Sequence, residues 1–540
     1  MRQRAREAPV AAPASAELSG KGGGAAEGPE LVSDVALARV LREAVHADET
    51  RAPDWRIHDR THVELVVDYR IHGPDDEQTY EWDAYFFVPD SLRLHDQTYQ
   101  KSEIYDDLLS YVRLEVPGET LASLTGEPLT RLSSALSERS AKPVALRELR
   151  VFACIARAAF TSAERAVRGV LATEPARAEL LAQRLGVTAK AVTASLRRAL
   201  ARSARFDEEV QEAARWVDED VSRGAEGMLA SLGIAFRSAG RDASVVDAIA
   251  AVAADEARHR RDHGLDGVGR RDMSERDVEH LEFRRHLLKR FSSSALWLAF
   301  DIRQAGVLAR QLLFGLAASV AMAFALFAAF SAGGTPQSLF SASALAIIVA
   351  YALKDRIKAW LQAKLSTLVS RFFPDRDWRI FDETRSVELA QVHERSGFVA
   401  PSKVAPRALA LRRANRLHQI EEEARPERVL WHHKTFTVHA KAMRAHDPRF
   451  PAVSEVFRLN VRRWLDHTDD PKRRILFADP DERQIYSATA KRVYNIGIVY
   501  RLARVGGVDA PWRRVRVVVT RKGIVRVDPV AEETLPARRG

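Results

Sequence analysis

Cysteine is almost missing from this chain: Cys154 is the only one among 540 residues. A single thiol excludes an intramolecular disulfide framework and any zinc site built from several cysteines. It fits a protein whose soluble parts face a reducing cytoplasm. The N-terminus lacks the apolar core of a secretory signal. Residues 1–30 contain few large apolar side chains and many Ala, Gly, Pro and Glu residues, which predicts a disordered tail.

Catalytic signatures are missing as well. The chain contains no Gly-rich phosphate loop, no Gly-x-Ser-x-Gly elbow and no kinase signature. We therefore expect no cofactor, and the sequence assigns no catalytic residue and no metal ligand. Cys154 lies in an apolar helical stretch, where it is expected to pack as a small hydrophobe. An enzyme is not the favoured class of protein.

Charge is absent from residues 312–332. At about 1.5 Å per residue this run gives roughly 31 Å of helix, enough to cross the hydrocarbon core of a bilayer. A second apolar run, residues 339–353, follows after an uncharged turn, and basic residues flank the pair on both outer sides. The positive-inside rule therefore predicts a transmembrane hairpin over residues 307–356, in a bacterial inner membrane, with both termini cytoplasmic. Two alternatives stay open: a buried hairpin of a soluble protein, and a tilted or re-entrant second run.

Small residues recur at every fourth position in both apolar runs. This spacing lets helix backbones approach closely, so it predicts packing within the hairpin or between protomers of a homo-oligomer. The residues of these rows are Gly315, Ser319, Ala323, Ala342, Ala346 and Ala350. The runs contain no Asp, Glu, Lys, Arg or His, and an ion pathway is therefore not favoured.

A charged group closes the second run on the predicted inner side. It consists of Lys354, Asp355, Arg356 and Lys358. An amphipathic helix is predicted next, over residues 357–374. Anionic lipid headgroups are candidate partners beside the bilayer itself because the last predicted hairpin is basic, and an ordinary solvated face is the alternative. Its basic residues are Arg513, Arg514, Arg516, Arg521, Lys522 and Arg526.

The regions on either side of the hairpin have different patterns. Residues 31–140 are predicted to form a small α+β domain, with strands over 61–71 and 80–88 joined as an antiparallel hairpin and a helix over 102–114. Residues 141–306 predict a helical bundle. Residues 375–530 predict a β-rich domain that ends in a hairpin around Thr520 to Gly523. The predicted fold class is thus a membrane protein of the α+β type.

Residues 179–200 match a helix-turn-helix pattern, with Gly186 at the turn and Arg197 and Arg198 placed to meet phosphates. The alternative is two bundle helices joined at a Gly turn. It is favoured because a chain rich in Ala, Leu and Arg produces such matches readily, so nucleic acid is not an expected partner.

Two further patterns involve histidines, and neither predicts a metal site. Glu256 and His259 have the spacing of a di-iron helix, but the other match, Glu43 and His46, lies outside the bundle, so no metal site is predicted. Three histidines of a predicted strand are assigned to its surface: His432, His433 and His439.

Several stretches resemble a family of bacterial two-transmembrane-helix proteins with large cytoplasmic flanking domains and no assigned function. The most specific stretch is residues 351–358 (YALKDRIK), and others are 85–89 (YFFVP), 105–108 (YDDL), 110–113 (SYVR), 283–289 (FRRHLLK) and 321–325 (AMAFA). The resemblance implies two membrane passes with both termini inside. It transfers no catalytic residue.

The sequence therefore predicts a membrane-anchored cytoplasmic scaffold, sensor or regulatory interaction protein with protein partners. An oligomeric two-helix channel is the first alternative, on the order of domain, helices and two passes alone. A membrane-bound enzyme is the second.

Overall fold

The structure is a computed structural model that describes residues 39–43, 54–137, 141–265, 269–303, 306–331, 342–414, 426–507 and 510–530. Within these ranges the chain mixes helices and antiparallel sheets and belongs to the α+β class, as predicted. The predicted disordered tail, residues 1–30, lies outside the described residues. So does the turn between the two apolar runs.

The strands come from both ends of the described chain. In order they are β1 (Trp55–Ile57), β2 (His62–Arg70), β3 (Gln78–Pro89), β4 (Leu108–Leu114), β5 (Ala299–Arg303), β6 (Arg376–Phe381), β7 (Glu388–Val399), β8 (Glu427–Val438), β9 (Ala452–Asn460), β10 (Lys472–Ala478), β11 (Ile485–Lys491), β12 (Tyr494–Arg504), β13 (Arg513–Thr520) and β14 (Gly523–Val530).

The longer helices lie between them. In order they are α1 (Lys101–Asp107), α2 (Glu127–Ala135), α3 (Lys142–Thr173), α4 (Pro175–Leu200), α5 (Glu208–Ser238), α6 (Ala243–Asp262), α7 (Glu275–Ser293), α8 (Val307–Ser331), α9 (Ala342–Phe372), α10 (Pro406–Arg413) and α11 (Ala440–His446). A short 3-10 turn, Arg463–Leu465, follows β9.

Two of the sheets pack face to face. One is four-stranded, in the order β1-β2-β9-β4, and the other is eight-stranded, in the order β14-β13-β12-β3-β8-β7-β6-β5. Aromatic side chains fill the space between them: Tyr69 stacks on Phe436 at 3.8 Å between ring centroids, and Trp82 meets Phe457 edge-on at 4.6 Å. We call this pair of sheets the sandwich.

Both sheets combine strands from before and after the apolar hairpin. In the four-stranded sheet β9 lies between β2 and β4, and in the eight-stranded sheet β3 lies between β8 and β12. Residues 31–140 and 375–530, predicted as separate domains, are therefore one folded body wherever the structure describes them. The sequence does not reveal this because the pairing Leu65 with Phe457 spans most of the chain.

The predicted hairpin of the two N-terminal strands is wrong, although both strands exist. β2 pairs with β1 and β9, whereas β3 pairs with β8 and β12. The chain crosses from one sheet to the other after Arg70, and Tyr69 meets Tyr80 across the gap at 5.4 Å. Alternation of apolar residues shows that each strand has one buried face. It does not show which strands pair with its edges or which sheet covers that face.

The predicted helix over residues 102–114 is half right. α1 ends at Asp107, and Leu108–Leu114 forms β4, which pairs along β9. Leu108, Val112 and Leu114 are buried, and this set fits a two-residue period as well as a helical one. The C-terminal hairpin is confirmed, because β13 and β14 pair around Thr520 and Gly523.

The eight-stranded sheet is also covered on its second face. Tyr85 and Phe87 point away from the sandwich core and pack with Ala408 and Leu411 of α10. This accounts for the unbroken apolar run at residues 84–88 in β3, since a strand covered on both faces has no solvated side.

Helices α3 to α7 occupy the segment predicted as a bundle. Their boundaries follow from local chemistry: Asp207 accepts a hydrogen bond from the backbone of Val210 at the start of α5, and Ser274 forms a capping box with Asp277 at the start of α7. Ion pairs join the bundle to the sandwich, including Arg449 Nη2 to Glu148 Oε1 at 2.5 Å and Arg147 Nη1 to Asp447 Oδ2 at 2.9 Å.

Residues 179–200 belong to the bundle, as the favoured alternative predicts, but the turn that both alternatives place at Gly186 is wrong. α4 runs without interruption from Pro175 to Leu200, so Gly186 lies inside a helix and no turn separates two elements. Val192 and Leu196 are buried in the bundle. Arg197 is engaged by Asp218 and Glu256.

The contact between α3 and α5 gives a matched pair of variants. A methyl group on Gly224 would come 2.8 Å from Cδ2 of Phe160, whereas one on Gly227 would meet nothing within 4 Å. We expect Gly224→Ala to lower the free energy of unfolding by about 1–3 kcal/mol because it overpacks this contact. Gly227→Ala, in the same helix, should raise it by about 0.5–1 kcal/mol. Denaturant unfolding of the full chain measures both, and equal effects would contradict the packing.

Candidate functional site

The most exposed apolar surface lies on α8. Its window Gln311–Ala328 has a mean hydropathy of 2.0, and only 11% of it is buried. Among the described residues this is the one helix long and apolar enough to cross a membrane. Phe327 and Phe330 are 72% and 82% exposed, and Leu312 and Leu316 are exposed as well. Such a continuous apolar surface is costly in water.

The buried side of α8 consists of alanines. Ala317 and Ala321, four residues apart, are each 1% exposed, and Ala350 of α9 is buried as well. The predicted row of Gly315, Ser319 and Ala323 lies on the exposed side of α8. A methyl group on Gly315 would meet nothing within 4 Å, so this row is open to another helix. Ala342 and Ala346 lie in the first turns of α9.

The second apolar run and the predicted amphipathic helix are one element. α9 continues for 31 residues, from Ala342 to Phe372, and carries the predicted charged group in its middle. Lys354 lies over the ring of Tyr351 at 3.7 Å and is largely covered, whereas Asp355, Arg356 and Lys358 are exposed. This arrangement places a basic surface directly after the apolar part of the helix.

A pair of strands joins the two ends of the helical hairpin. β5 leads into α8, β6 follows α9, and these strands pair with each other at the edge of the eight-stranded sheet. Phe300 packs on Trp378 at 5.2 Å, and Arg385 bonds Asp301 at 2.8 Å. The chain therefore leaves the sandwich and returns to it at one place. We call this pair the clamp.

The sandwich interior contains a charged group that the sequence analysis missed. Lys434 is 1% exposed, and its Nζ lies 2.9 Å from Glu394 Oε1 and also bonds Glu455. Trp378 Nε1 donates to Glu394 at 3.0 Å, and the Tyr69 hydroxyl donates to Glu455 at 2.7 Å. Lys434 also donates to Ser110 Oγ at 3.0 Å. We call these six residues the core network.

The core network links both sheets and the clamp. Lys434 lies on β8 and Glu394 on β7, Glu455 lies on β9 of the other sheet, and Trp378 belongs to β6. Burial lowers the pKa of Lys434, but the two carboxylates outweigh burial and raise that pKa above its ordinary value. The lysine thus stays charged, and its removal would leave two buried carboxylates without their cation.

A signal for the core network exists in the sequence. Along β8 the buried positions are Leu430, His432, Lys434, Phe436 and Val438, so the lysine stands at an inward-facing position. A charge at such a position requires a partner from another strand. His433 lies on the more exposed side of β8, as predicted, whereas His439 lies just after the strand, at the residue before α11, where it pairs with Glu77.

His432 is not at the strand surface, which corrects that prediction. It is 1% exposed, its Nδ1 lies 2.6 Å from Ser396 Oγ, and Trp82 and Phe457 pack against its ring. Its Nε2 finds no hydrogen-bond partner among the described residues. Burial, followed by the charge of Lys434, lowers the pKa of His432 well below its ordinary value. The ring is therefore neutral at physiological pH.

The other residues considered as metal ligands or reactive groups form ion pairs and hydrogen bonds or are buried. Glu256 accepts from Arg197 and Thr193, and His259 Nε2 lies 2.8 Å from Asp218. Across the described residues no group of three His, Cys, Asp or Glu side chains is placed to hold a metal ion. Cys154 is buried as predicted, and burial raises the pKa of its thiol to about 12.

A cleft of about 450 Å³ lies among α3, α5 and α7. Its carboxylates are engaged: Asp220 bonds Arg157 and Ser292, Glu226 bonds Arg260, and Glu164 accepts from Ser231. Arg260 is fully buried behind the cleft, so these ion pairs act as packing elements of the bundle. The hydroxyl of Ser231 does meet a carboxylate, that of Glu164, but Arg168 bonds both side chains, so this carboxylate is also engaged in an ion pair.

The core network predicts a large effect for one substitution. Lys434→Met leaves Glu394 and Glu455 buried without a cation and should lower the free energy of unfolding by about 3–5 kcal/mol. Lys101→Met is the matched control, because the Lys101 side chain is half exposed and its partner Asp375 keeps hydrogen bonds from Tyr105 and the backbone of Ser396. That change should cost less than about 1 kcal/mol. Denaturant unfolding followed by tryptophan fluorescence measures both, and similar costs would contradict the role of the core network.

His432 predicts a pH dependence of stability. Its pKa is lower in the folded than in the unfolded state, so the unfolded chain binds the extra proton first as the pH falls. Folding should lose free energy below about pH 6.5, with a slope approaching 1.4 kcal/mol per pH unit from this group. His432→Gln should remove that part of the slope. Unfolding curves at several pH values test this, and an unchanged slope would exclude His432 as the cause.

No family model, curated protein or solved structure matches this chain. The features that bear on function are therefore the exposed helical hairpin, the clamp and the core network, all built from residues described above.

Proposed function

We propose that this protein is an interaction scaffold anchored in the bacterial inner membrane by the helical hairpin α8–α9, with the sandwich and the bundle in the cytoplasm. The observation that carries the proposal is the shared construction of the sandwich. Strands from before and after the hairpin alternate in both sheets, so the two flanking segments must lie on one side of any membrane.

Because both flanking segments lie on the same side, the chain between them crosses a membrane an even number of times. If α8 spans the bilayer, the chain must return before β6 can pair with β5 in the clamp. The apolar first part of α9, together with the uncharged residues before it, provides the return. The basic residues that flank the hairpin, including Lys354 and Arg356, favour the cytoplasm for the sandwich and the bundle.

An interaction role fits the interior better than an enzymatic one. The buried titratable groups of the core network pair with each other inside the sandwich, out of reach of a substrate. The charges around the cleft of the bundle are engaged as well. Protein partners then meet the exposed surfaces of the body, and anionic headgroups meet the basic part of α9. The family resemblance proposed from the sequence agrees with this topology.

We expect the chain to stay in the membrane fraction during alkaline carbonate extraction, because apolar burial rather than charge holds it. Gln337→Cys, in the turn, should react with a membrane-impermeant maleimide in intact spheroplasts. Ser487→Cys, exposed in the body, should react only after the cells are opened. The native Cys154 is buried and stays silent in both cases.

Each opposite result has a definite meaning. Release by carbonate would overturn membrane anchoring. Labelling of Ser487→Cys in intact spheroplasts would overturn the cytoplasmic orientation. A membrane-bound chain whose Gln337→Cys reacts only after opening would replace the two-pass hairpin with a re-entrant one.

A further inference from the structure

The hairpin of β10 and β11 stands apart from the sandwich as a two-stranded sheet of its own. The strands pair without a bulge along all seven residues of each, and nearly every residue is exposed. An isolated two-stranded hairpin is at best marginally stable in water. We call it the arm.

The arm carries apolar side chains on both of its faces. Ile475 and Phe477 share one face with Ala488 and Tyr486, and Leu476 lies on the other face. Leu476 is 65% exposed, and Ile485 of β11 is 83% exposed. Large apolar side chains that stay exposed to water do not stabilise the arm. Their exposure therefore favours a contact between the arm and another protein surface.

The outer edge of β10 is open to another strand. Within the described chain β10 pairs with β11 alone, which leaves one row of its backbone groups unpaired. Edge strands of this kind pair readily with a further strand unless charged side chains, a proline, a bulge or a covering element prevents it, and the charges of β10 are confined to Lys472, Arg473 and Arg474 at its start. β10 contains no proline and no bulge.

The charges along the arm have opposite signs at its two ends. β10 begins with Lys472, Arg473 and Arg474. The turn that follows the strand contains three anions, Asp479, Asp481 and Glu482, and one cation, Arg483, so it is acidic on balance. An antiparallel copy of the same edge brings the basic base of one arm beside the acidic turn of the other. The edge is therefore complementary to itself.

We propose that β10 pairs with β10 of a second copy of this chain, antiparallel and around a two-fold axis, to form a four-stranded sheet between two molecules. A two-fold axis perpendicular to the sheet requires a residue to face its own copy. With Leu476 in that position, Ile475 faces Phe477 of the partner copy, and Arg473 faces Asp479 of the partner copy. On both sides of the axis this register thus contains one apolar pair and one pair of opposite charge, and it sets Arg474 beside Ala478 of the partner copy.

The other strand edge and the bilayer fit less well. A two-fold pairing of β11 around Ala488 would set Ile485 against Lys491 of the second copy. Insertion of the arm into an anionic membrane would bring the acidic turn against charge of the same sign. The inference does not depend on membrane anchoring, since it concerns the arm alone.

Cysteine cross-linking of the full chain in membranes tests the register. Leu476→Cys lies on the proposed axis, where facing Cα atoms in an antiparallel sheet are about 4.5–5.5 Å apart, within disulfide range. Ser487→Cys, directly across the arm from Leu476, is the control because it lies on the far strand. Mild oxidation should link Leu476→Cys into a dimer in large excess over Ser487→Cys.

Charge reversal tests the complementarity in the same Leu476→Cys background. Arg473→Glu places like charges together twice per dimer and should weaken dimerisation about tenfold. Lys491→Glu makes the same change on the far edge and should leave the dimer unchanged. Equal cross-linking of Leu476→Cys and Ser487→Cys, or a monomer, overturns the proposal. The proposal is also overturned if the substitutions in the arm abolish binding of the chain to anionic vesicles instead of dimerisation. A dimer that persists when carbonate releases the chain would overturn the proposed anchoring and support the arm.

Discussion

The pairing of strands from opposite ends of the chain is the constraint on which the rest of the structure depends. β3 pairs with β8 along one edge and with β12 along the other, and both of these strands follow α8 and α9 in the chain. The clamp of β5 and β6 closes this long excursion at one edge of the sheet. A hairpin held in this way cannot separate its two ends, which gives it the form of an insertion into a folded body rather than a linker between two domains.

The core network shows how such distant strands keep their register. Glu455 of β9 and Glu394 of β7 both bond Lys434. A shift of one residue in any of the three strands would turn one of these charges to the opposite face of its sheet and leave its partner buried without a counter-charge. Buried ion pairs add little net stability compared with apolar residues. Their contribution here is selectivity for one arrangement. Trp378, which donates to Glu394, extends this selectivity to the strand that follows the hairpin.

Local patterns predicted the elements well and their neighbours poorly. The apolar helix α8, the bundle helices and the hairpin at Thr520 follow from residues that lie close together in the chain. The pairing of β2 with β9 does not, because the alternation around Leu65 and Val67 is the same for any covering surface. Residues 108–114 became a strand since β9 offered an edge. Gly186 stayed helical because bundle packing outweighed its preference for turns. Lys434 was detectable, as a charge on the buried side of a predicted strand.

The arm differs from the rest of the folded body in how its strand edges are protected against pairing with another strand. β5 is short and leads into α8, β4 is met by Leu296, which accepts a hydrogen bond from Leu114, and β14 carries a proline and lies against β1. Each is protected by a means that natural sheets use against unwanted pairing. β10 has no proline, bulge or covering element, and its cations, Lys472 to Arg474, lie at one end of the strand, where the acidic turn of a second copy would match them. Because the edges of the sandwich are protected and the edge of β10 is complementary to itself, we infer that this edge is retained for contact.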